Sequence, residues 1–541
     1  MTGPGLLLLT TICLPLAAAV LPLGSAAMRG CALAATGLAL AGAAALAGLF
    51  PGGAVPFAQV DAPWLAAAGV PVDVRFSLAL DGLSLWLFAL TALLVLCCVL
   101  ISWEAVRAQQ SLYYRLLLLL ETGMLGVFAA RDIILFYLFF EFTLVPLFFL
   151  IGIWGSDQRR HAAIKFFLFT LAGSVLALLG LLVIVLWCSL APPALPKMTF
   201  SIAELTRHLA GHPMPWRLQM AVFLALFAGF AIKVPLVPLH TWLPLAHTEA
   251  PAAGSVLLAG VLLKVGAYGF VRFNLPMLPQ ATAACAPWLL WLSVIGIVYG
   301  ALVALAQTDM KRLIAYSSVS HLGFCMLGVF AGSQIGLEGG VLQMVNHGLS
   351  TGGLFAVVGM LYERYHTRRI ADLGGIAREM PRAAFFMVFL ALASIGLPGL
   401  NGFVGEFLVL LAMFQRAFGG ATLPGAVPAE WLLHYRVIAV LAASGVVLEA
   451  WYMLSLVRRV FFGPQKPRKG PAVRDLSRWE IAALAPLLAV IVWIGVGPGF
   501  FLDRMAPTLA ELRGETASEL QREIPSTQSP IPNPQSPIPN S

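Results

Sequence analysis

Residues 220–247 read MAVFLALFAGFAIKVPLVPLHTWLPLAH, and this stretch decides the architecture. Its first half has the composition of a membrane helix, yet Lys233 stands inside it, and Pro235, Pro238 and Pro244 follow. Proline removes a helix donor and collides with the preceding turn, so the helix is expected to break just past the lysine. A charge at the centre of a membrane helix costs roughly 2.5–3.5 kcal/mol or more, and it persists only facing a protein interior or an internal water path. A broken helix with a buried lysine beside the break therefore points to an ion path rather than to a plain anchor.

Working outward, the pattern recurs. Glu141 lies in RDIILFYLFFEFTLVPLFFLIGIW (131–154) and Lys264 in AGSVLLAGVLLKVGAYGF (253–270). A second flawed run, ASIGLPGLNGFVGEFLVLL (393–411), sets Pro398, Gly399, Asn401, Gly402 and Gly405 around its middle, with Glu406 just after. The chain of 541 residues is 60% hydrophobic and only 11% charged, whereas soluble domains carry about 25% charged residues. A soluble enzyme is excluded. Apolar runs near the ~20 residues that cross the hydrocarbon core, rather than alternating ten-residue segments, choose helices over a barrel. The expected fold is an all-α polytopic membrane protein with about fourteen transmembrane helices. The net charge of +8 sits with loop Lys and Arg. Their excess on one side puts both termini outside, and it gives no reason to invoke nucleic acid.

The two flawed spans, the seventh (217–237) and the twelfth (383–413), lie five spans apart, the sequence pointer to two inverted five-helix repeats. The expected division is three N-terminal helices in 1–113, a first repeat in 114–272, a second in 273–465, a last helix in 466–513, and a disordered tail in 514–541. That tail ends STQSPIPNPQSPIPNS, repeats QSPIPN and has too little apolar content to fold. The run 6–23 lacks the basic start of a signal peptide and reads as the first helix. Cys13, Cys31, Cys97, Cys98, Cys188, Cys285 and Cys325 fall in apolar spans without metal-like spacing, so they read as small core residues. Walker, dinucleotide-binding, haem and cluster motifs are absent from the sequence. Uphill transport would draw its energy from a partner protein or another ion gradient.

Burial disfavours the charged form of an ammonium group, and a carboxylate nearby favours it, so their spacing governs whether a proton stays. Glu141 is the natural modulator of Lys233; the alternative is a static pair that fixes helix packing. Lys264 is too deep in its span to snorkel, and His240 or water could link it to Lys233. His321 in SSVSHLGF and His347 in QMVNHGLSTGGLF are the next buried titratable groups, of a type suited to proton shuttling. Ser318, Ser320, Asn346, Ser350 and Thr351 around them could hold water or bond adjacent helices. Glu406 follows the second break as a candidate exit group. Glu121, in LLLLLETGMLG, is a weaker candidate, either a second lysine partner or a link to a neighbouring subunit. Glu449 and Lys165 stay open between function and packing, while Asp309, Lys311 and Arg312 read as solvated loop residues.

At these residues the chain resembles the antiporter-like membrane subunits of respiratory complex I, most of all the M (chain 4) type. LFYLFFEFTLVPLFFLIGIWG (135–155), HTWLPLAHTEAPAAGSVLLAGVLLKVGAYGFVRF (240–273), DMKRLIAYSSVSHLGF (309–324) and LPGLNGFVGEF (397–407) carry the resemblance. It implies fourteen helices with two inverted repeats around a hydrated polar axis, in a proton-translocating subunit of an NAD(P)H- or ferredoxin-fed quinone oxidoreductase. Glu141–Lys233 would be the ion pair, Lys264 the central relay, His321 and His347 the bridge, and Glu406 the terminal group. The chain itself would hold no cofactor, because nucleotide or ferredoxin, clusters and quinone belong to partner subunits. Its partners would be the other membrane-arm subunits and the bilayer. A glutamate at the last position favours the M type over the L and N types, as does the lack of a long lateral C-terminal helix. Leu245 replaces the aspartate of the WLPDAH pattern, leaving the proton's way in open. The QSPIPN tail resembles cyanobacterial repeats, which would imply a thylakoid rather than a bacterial plasma membrane. The rival readings are a subunit of a multisubunit cation/proton antiporter or membrane-bound hydrogenase, and a passive scaffold whose charges only pack helices.

Overall fold

A computed structural model describes residues 2–65, 72–419, 429–466 and 473–514; the expected tail falls outside them. Among the described residues, thirteen helices are long and apolar enough to cross a membrane. They begin with α1 (Gly3–Val20), α2 (Ser25–Leu49), α3 (Ser84–Ala105), α4 (Gln110–Ala129), α5 (Ile133–Trp154) and α6 (Arg159–Leu190). A short amphipathic helix, α7 (Ile202–Gly211), precedes the first broken span, α8 (Trp216–Lys233) and α9 (Trp242–Glu249). Next come α10 (Ala252–Met277), α11 (Pro279–Leu305), α12 (Met310–Phe330) and α13 (Gln334–Tyr365). The twelfth expected span, which is not among these thirteen, is the second broken one, α14 (Pro381–Ser394) and α15 (Asn401–Phe418). The chain closes with α16 (Ala429–Phe461), α17 (Arg478–Val496) and α18 (Gly499–Arg513).

Local signals set several of these boundaries. Asp132 caps α5 by accepting from Ile134 N at 2.8 Å, and Asp309 caps α12 by accepting from Lys311 N at 2.7 Å. Ser477 and Glu480 form a reciprocal capping box on α17. Helices that are apolar all round belong in an interior. The whole apolar window of α10 and nearly all of those of α12 and α13 are buried, whereas α1, α16 and α17 expose most of theirs. Polar residues on α10, α12 and α13 therefore face protein, not lipid.

The two breaks share one backbone pattern. In the first, Leu236 N donates to Ala231 O at 3.0 Å and Leu239 N to Leu236 O at 2.6 Å. In the second, Leu397 N donates to Leu392 O at 3.1 Å and Leu400 N to Leu397 O at 3.0 Å, with Gly396 and Gly399 at positive φ. The same five-residue and three-residue bonds recur in each, and glycine supplies in the second what proline enforces in the first.

Several expectations need correcting. Residues 1–113 do not hold helices alone: β1 (Phe57–Leu65) and β2 (Val72–Leu80) pair antiparallel ahead of α3, and β2 also pairs with β3 (Met198–Thr199). The last helix was expected over 466–513; the chain instead breaks after Val496, where Gly497 and Pro498 separate α17 from α18. Lys311 was expected in a solvated loop and lies buried in the first turn of α12, its ammonium bonded to Ala250 O. The cysteines are not all core residues, because Cys13 is exposed on α1.

One buried clasp fixes the end of α10 beyond Lys264. Arg272 Nη2 reaches Asp81 Oδ2 at 2.7 Å, Arg131 Nη2 reaches the same oxygen at 2.9 Å, and Tyr268 OH accepts from Arg272 Nε at 3.1 Å. Burial alone would push the Asp81 carboxyl up; the Arg131 and Arg272 charges outweigh that and hold it well below the usual carboxylate range. A carboxyl depressed in the folded state stabilises at pH above its unfolded value, and that stabilisation is lost as pH falls through the folded one. Asp81→Asn should cost about 3–5 kcal/mol by leaving two guanidiniums without their anion. It should also flatten the acid limb of the stability profile, measured by thermal unfolding in detergent against pH; an unchanged acid limb would contradict this account.

Candidate functional site

The site grows from one close helix contact and one irregular helical turn. A Cβ on Gly348 of α13 would lie 2.8 Å from Gly260 O of α10, so only glycine lets these backbones approach. Within α10, residues Leu258–Leu262 form a π turn, which frees carbonyls and recurs at functional positions. Lys264, fully buried, bonds one of them, Ala259 O, and its Nζ lies 2.6 Å from His347 Nδ1. The His347 and His321 rings are 5.4 Å apart, centroid to centroid. His321 Nε2 lies 3.1 Å from Ser394 Oγ, at the end of α14, and its Nδ1 lies 3.3 Å from Glu449 Oε1 and 3.5 Å from Glu406 Oε1. Lysine, two histidines and two carboxylates thus form one buried series across α10, α13, α12, α15 and α16.

Lys233 and Glu141 sit apart from this series. They lie within electrostatic reach of each other, but no contact between them closes to 4 Å. The Lys233 ammonium rests 4.6 Å from the centre of the Phe140 ring, a cation–π seat on the helix that carries Glu141. Glu141 is only partly buried, two residues before the interruption of α5 at Thr143, and its Oε1 has no hydrogen-bond partner. The pair is thus present in an open form. His240 packs in the first break against Tyr299 and Tyr316, and no hydrogen bond joins it to either lysine. Lys165 ties α6 to the same break through Thr241 O at 3.3 Å. Glu121 is fully buried with both oxygens unpartnered, so it gains no lysine here.

Three features escaped the sequence reading. His247 is fully buried, stacked on Phe355 at 4.6 Å, and neither ring nitrogen has a partner. Its place one helical turn past Pro244, between the break and Lys264, was the available signal. A cavity of about 890 Å³ opens at the α9–α10 junction, lined by Glu249, Lys311, Glu363, Arg364 and Arg368 among others. No sequence motif marks it, because its walls come from helix ends far apart in the chain. The third is the contact of Glu449, a residue left open between function and packing, with His321, which depends on how α16 packs.

With this geometry in place, comparison with known proteins is decisive. The profile of the NADH:quinone oxidoreductase/Mrp antiporter transmembrane family matches residues 130–423. The chain belongs to this family. Its relatives include NADH-quinone oxidoreductase subunit M of Rhodobacter capsulatus, 43% identical over 442 residues, 82% of each chain. Among solved structures, a chain of respiratory complex I from Thermus thermophilus with bound NADH is 34% identical with a TM-score of 0.79, covering 94% of this chain and all of that one. A chain of the Mrp complex from Dietzia sp. DQ12-45-1b shares the fold at 23% identity, with a TM-score of 0.77 over 95% of this chain and 98% of that one. The family match spans both breaks, Lys233, Lys264, both histidines and Glu406. It is a transmembrane family, and the thirteen long apolar helices among the described residues agree.

The glycine contact gives a test of the site's scaffold. Gly348→Ala should force α10 and α13 apart, because the added methyl would also meet Leu90 at 2.6 Å. Overpacking of this kind costs about 1–3 kcal/mol. A lower thermal midpoint of the detergent-purified protein is the expected outcome; an unchanged midpoint would show that the contact is slack.

Proposed function

We infer that this chain is the proton-pumping M-type subunit in the membrane arm of an NADH:quinone oxidoreductase, with the other membrane-arm subunits as its partners. The observation that carries the mechanism is the 2.6 Å contact between Lys264 Nζ and His347 Nδ1, buried between two broken spans and continued by His321 to Glu406. Oxidation of NADH and reduction of quinone belong to other subunits of such an enzyme, and this chain contributes no redox group of its own. NAD(P)H or ferredoxin as donor, and clusters and quinone in partner subunits, follow from the same reading. Bacterial relatives favour the plasma membrane of a bacterium as its location.

The proposed cycle uses this chain's own groups. Electrostatic change arriving along the arm closes or opens Glu141–Lys233; the open form has its lysine seated on Phe140. A closed pair holds the lysine's proton, and an open one weakens that hold. The proton passes to Lys264, then through His347 and His321 towards Glu406. The cavity beside Lys311 and Glu249, with His247 buried between that region and Lys264, supports an inlet that does without an acid at Leu245. The cation/proton antiporter reading shares the fold, but the relatives with the higher identity are quinone oxidoreductase subunits.

Lys233→Ala and Lys264→Ala should each lower proton translocation by roughly tenfold or more while leaving assembly intact, since positioned proton-transfer groups contribute at least that much. Glu141→Ala should behave like Lys233→Ala, and Glu141→Asp more mildly. Dye-quenching in inverted vesicles, normalised to NADH oxidation and to assembled complex on native gels, measures this. Wild-type pumping in all of these variants would leave the chain a scaffold.

A further inference from the structure

The cycle above leaves Glu449 without a task, although it is fully buried and its Oε1 touches His321 Nδ1 at 3.3 Å and Ser320 Oγ at 3.4 Å. Glu406 Oε1 lies 3.5 Å from the same histidine nitrogen. Among the described residues, neither carboxylate has a lysine or arginine within 4 Å. Two carboxylates gathered on one histidine in a low-dielectric interior do not both ionise; one proton stays with the pair. The other titratable neighbours are Tyr452 and Cys325, ordinarily neutral groups.

The hydrogen-bond chains at the two ends favour different states for the two acids, since an N–H donor stabilises the charged carboxylate. A backbone carbonyl can only accept. Asn401 O accepts from Asn346 Nδ2 at 2.8 Å, which fixes the orientation of that amide. The same nitrogen lies 3.2 Å from Gln343 Oε1, which fixes the second amide in turn, and Gln343 Nε2 then donates to Glu406 Oε1 at 2.9 Å. The Glu406 oxygen is thereby an acceptor. At Glu449 the direction reverses. Ser320 has one hydroxyl proton, and it donates to Ile297 O at 2.9 Å. At 3.4 Å from Glu449 Oε1, Ser320 Oγ then has a lone pair to offer, which suits a carboxylic acid O–H better than a second carboxylate.

We propose that Glu449 is a positioning residue for proton exit, a resident neutral acid beside an ionised Glu406 that exchanges protons through His321. The proposal rests on the pumping function inferred above. A proton reaching His321 from the Lys264–His347 side passes from Nδ1 to the Glu406 carboxylate, leaving a neutral imidazole and two neutral acids. Its onward release from Glu406 restores the single anion, and Glu449 retains its proton throughout. Glu449 thus keeps the cluster at one negative charge rather than two.

The test is infrared spectroscopy of the purified, reconstituted complex in H₂O and D₂O, taken as wild-type-minus-variant difference spectra. The expected result is a deuterium-sensitive carbonyl band of a protonated acid that is lost in Glu449→Gln and kept in Glu406→Gln. Glu449→Asp should move the band without removing it, and it serves also if Glu449→Gln fails to assemble. Pumping should fall several-fold less in Glu449→Gln than in Glu406→Gln, because the amide still offers a neutral donor to Ser320. A band that vanishes in Glu406→Gln and survives in Glu449→Gln would overturn the assignment. So would its absence from the wild type, a band unmoved by Glu449→Asp, or its loss when sodium is added, which would make the cluster a cation site. The band reads the resting complex, so it succeeds or fails separately from the pumping of the Lys233 and Lys264 variants.

Discussion

The structure depends on one constraint: an ammonium group buried in the bilayer interior must find acceptors inside the protein. Lys264 finds two, a carbonyl freed by a π turn in its own helix and the Nδ1 of His347 across a glycine contact. Neither is available in a regular helix packed at ordinary distance, where carbonyls are already bonded and side chains hold the backbones apart. Much of the architecture follows from meeting that demand. The wound-open turn, the small residues facing each other and the full burial of three central helices all keep lipid away from the charge. The same demand recurs at Lys233, which is satisfied by an aromatic face and a partly buried carboxylate at longer range.

Much of this was legible in the sequence because charge in apolar surroundings is rare and costly. Lys264, His347, His321 and Glu406 were all picked out by that argument, and the structure brings them into one series. The breaks were legible too, since Pro235, Pro238 and Pro398 each deny a continuing helix a donor. What stayed hidden depends on packing between distant segments. Asp81 and Arg131 gave no sign of meeting Arg272, because a clasp of three residues from three parts of the chain leaves no local pattern. The β-hairpin before α3 was not anticipated, because period-two alternation is short-lived there and Leu78 and Leu80 look like helix residues. Lys311 was misjudged because a basic residue next to a helix cap is usually solvated, and only the fold places Ala250 O against it.

The departure at Leu245 gains a context from the cavity at the α9–α10 junction. An apolar residue beside the first break removes one acidic foothold, yet the cavity offers Glu249 and Lys311 nearby, and His247 lies buried with both nitrogens unpartnered. Family resemblance would have assigned the aspartate; the geometry supplies other groups within the same short segment. The two halves of the chain also differ in their chemistry. The first pairs a lysine with a distant glutamate, while the second has two carboxylates around His321 with no lysine among the described residues within 4 Å of them.

The clasp at the far end of α10 bears on how such a helix can respond to force. Its outer end is pinned by Asp81, and the segment leading into its inner end is held where Lys311 bonds Ala250 O and Arg368 bonds Thr248 O. A rod fixed at both ends neither slides nor tilts. Strain arriving from a neighbouring subunit is then taken up as local torsion in the wound-open turns at Leu258–Leu262 and Phe270–Asn274, the first of which lies directly beside Lys264.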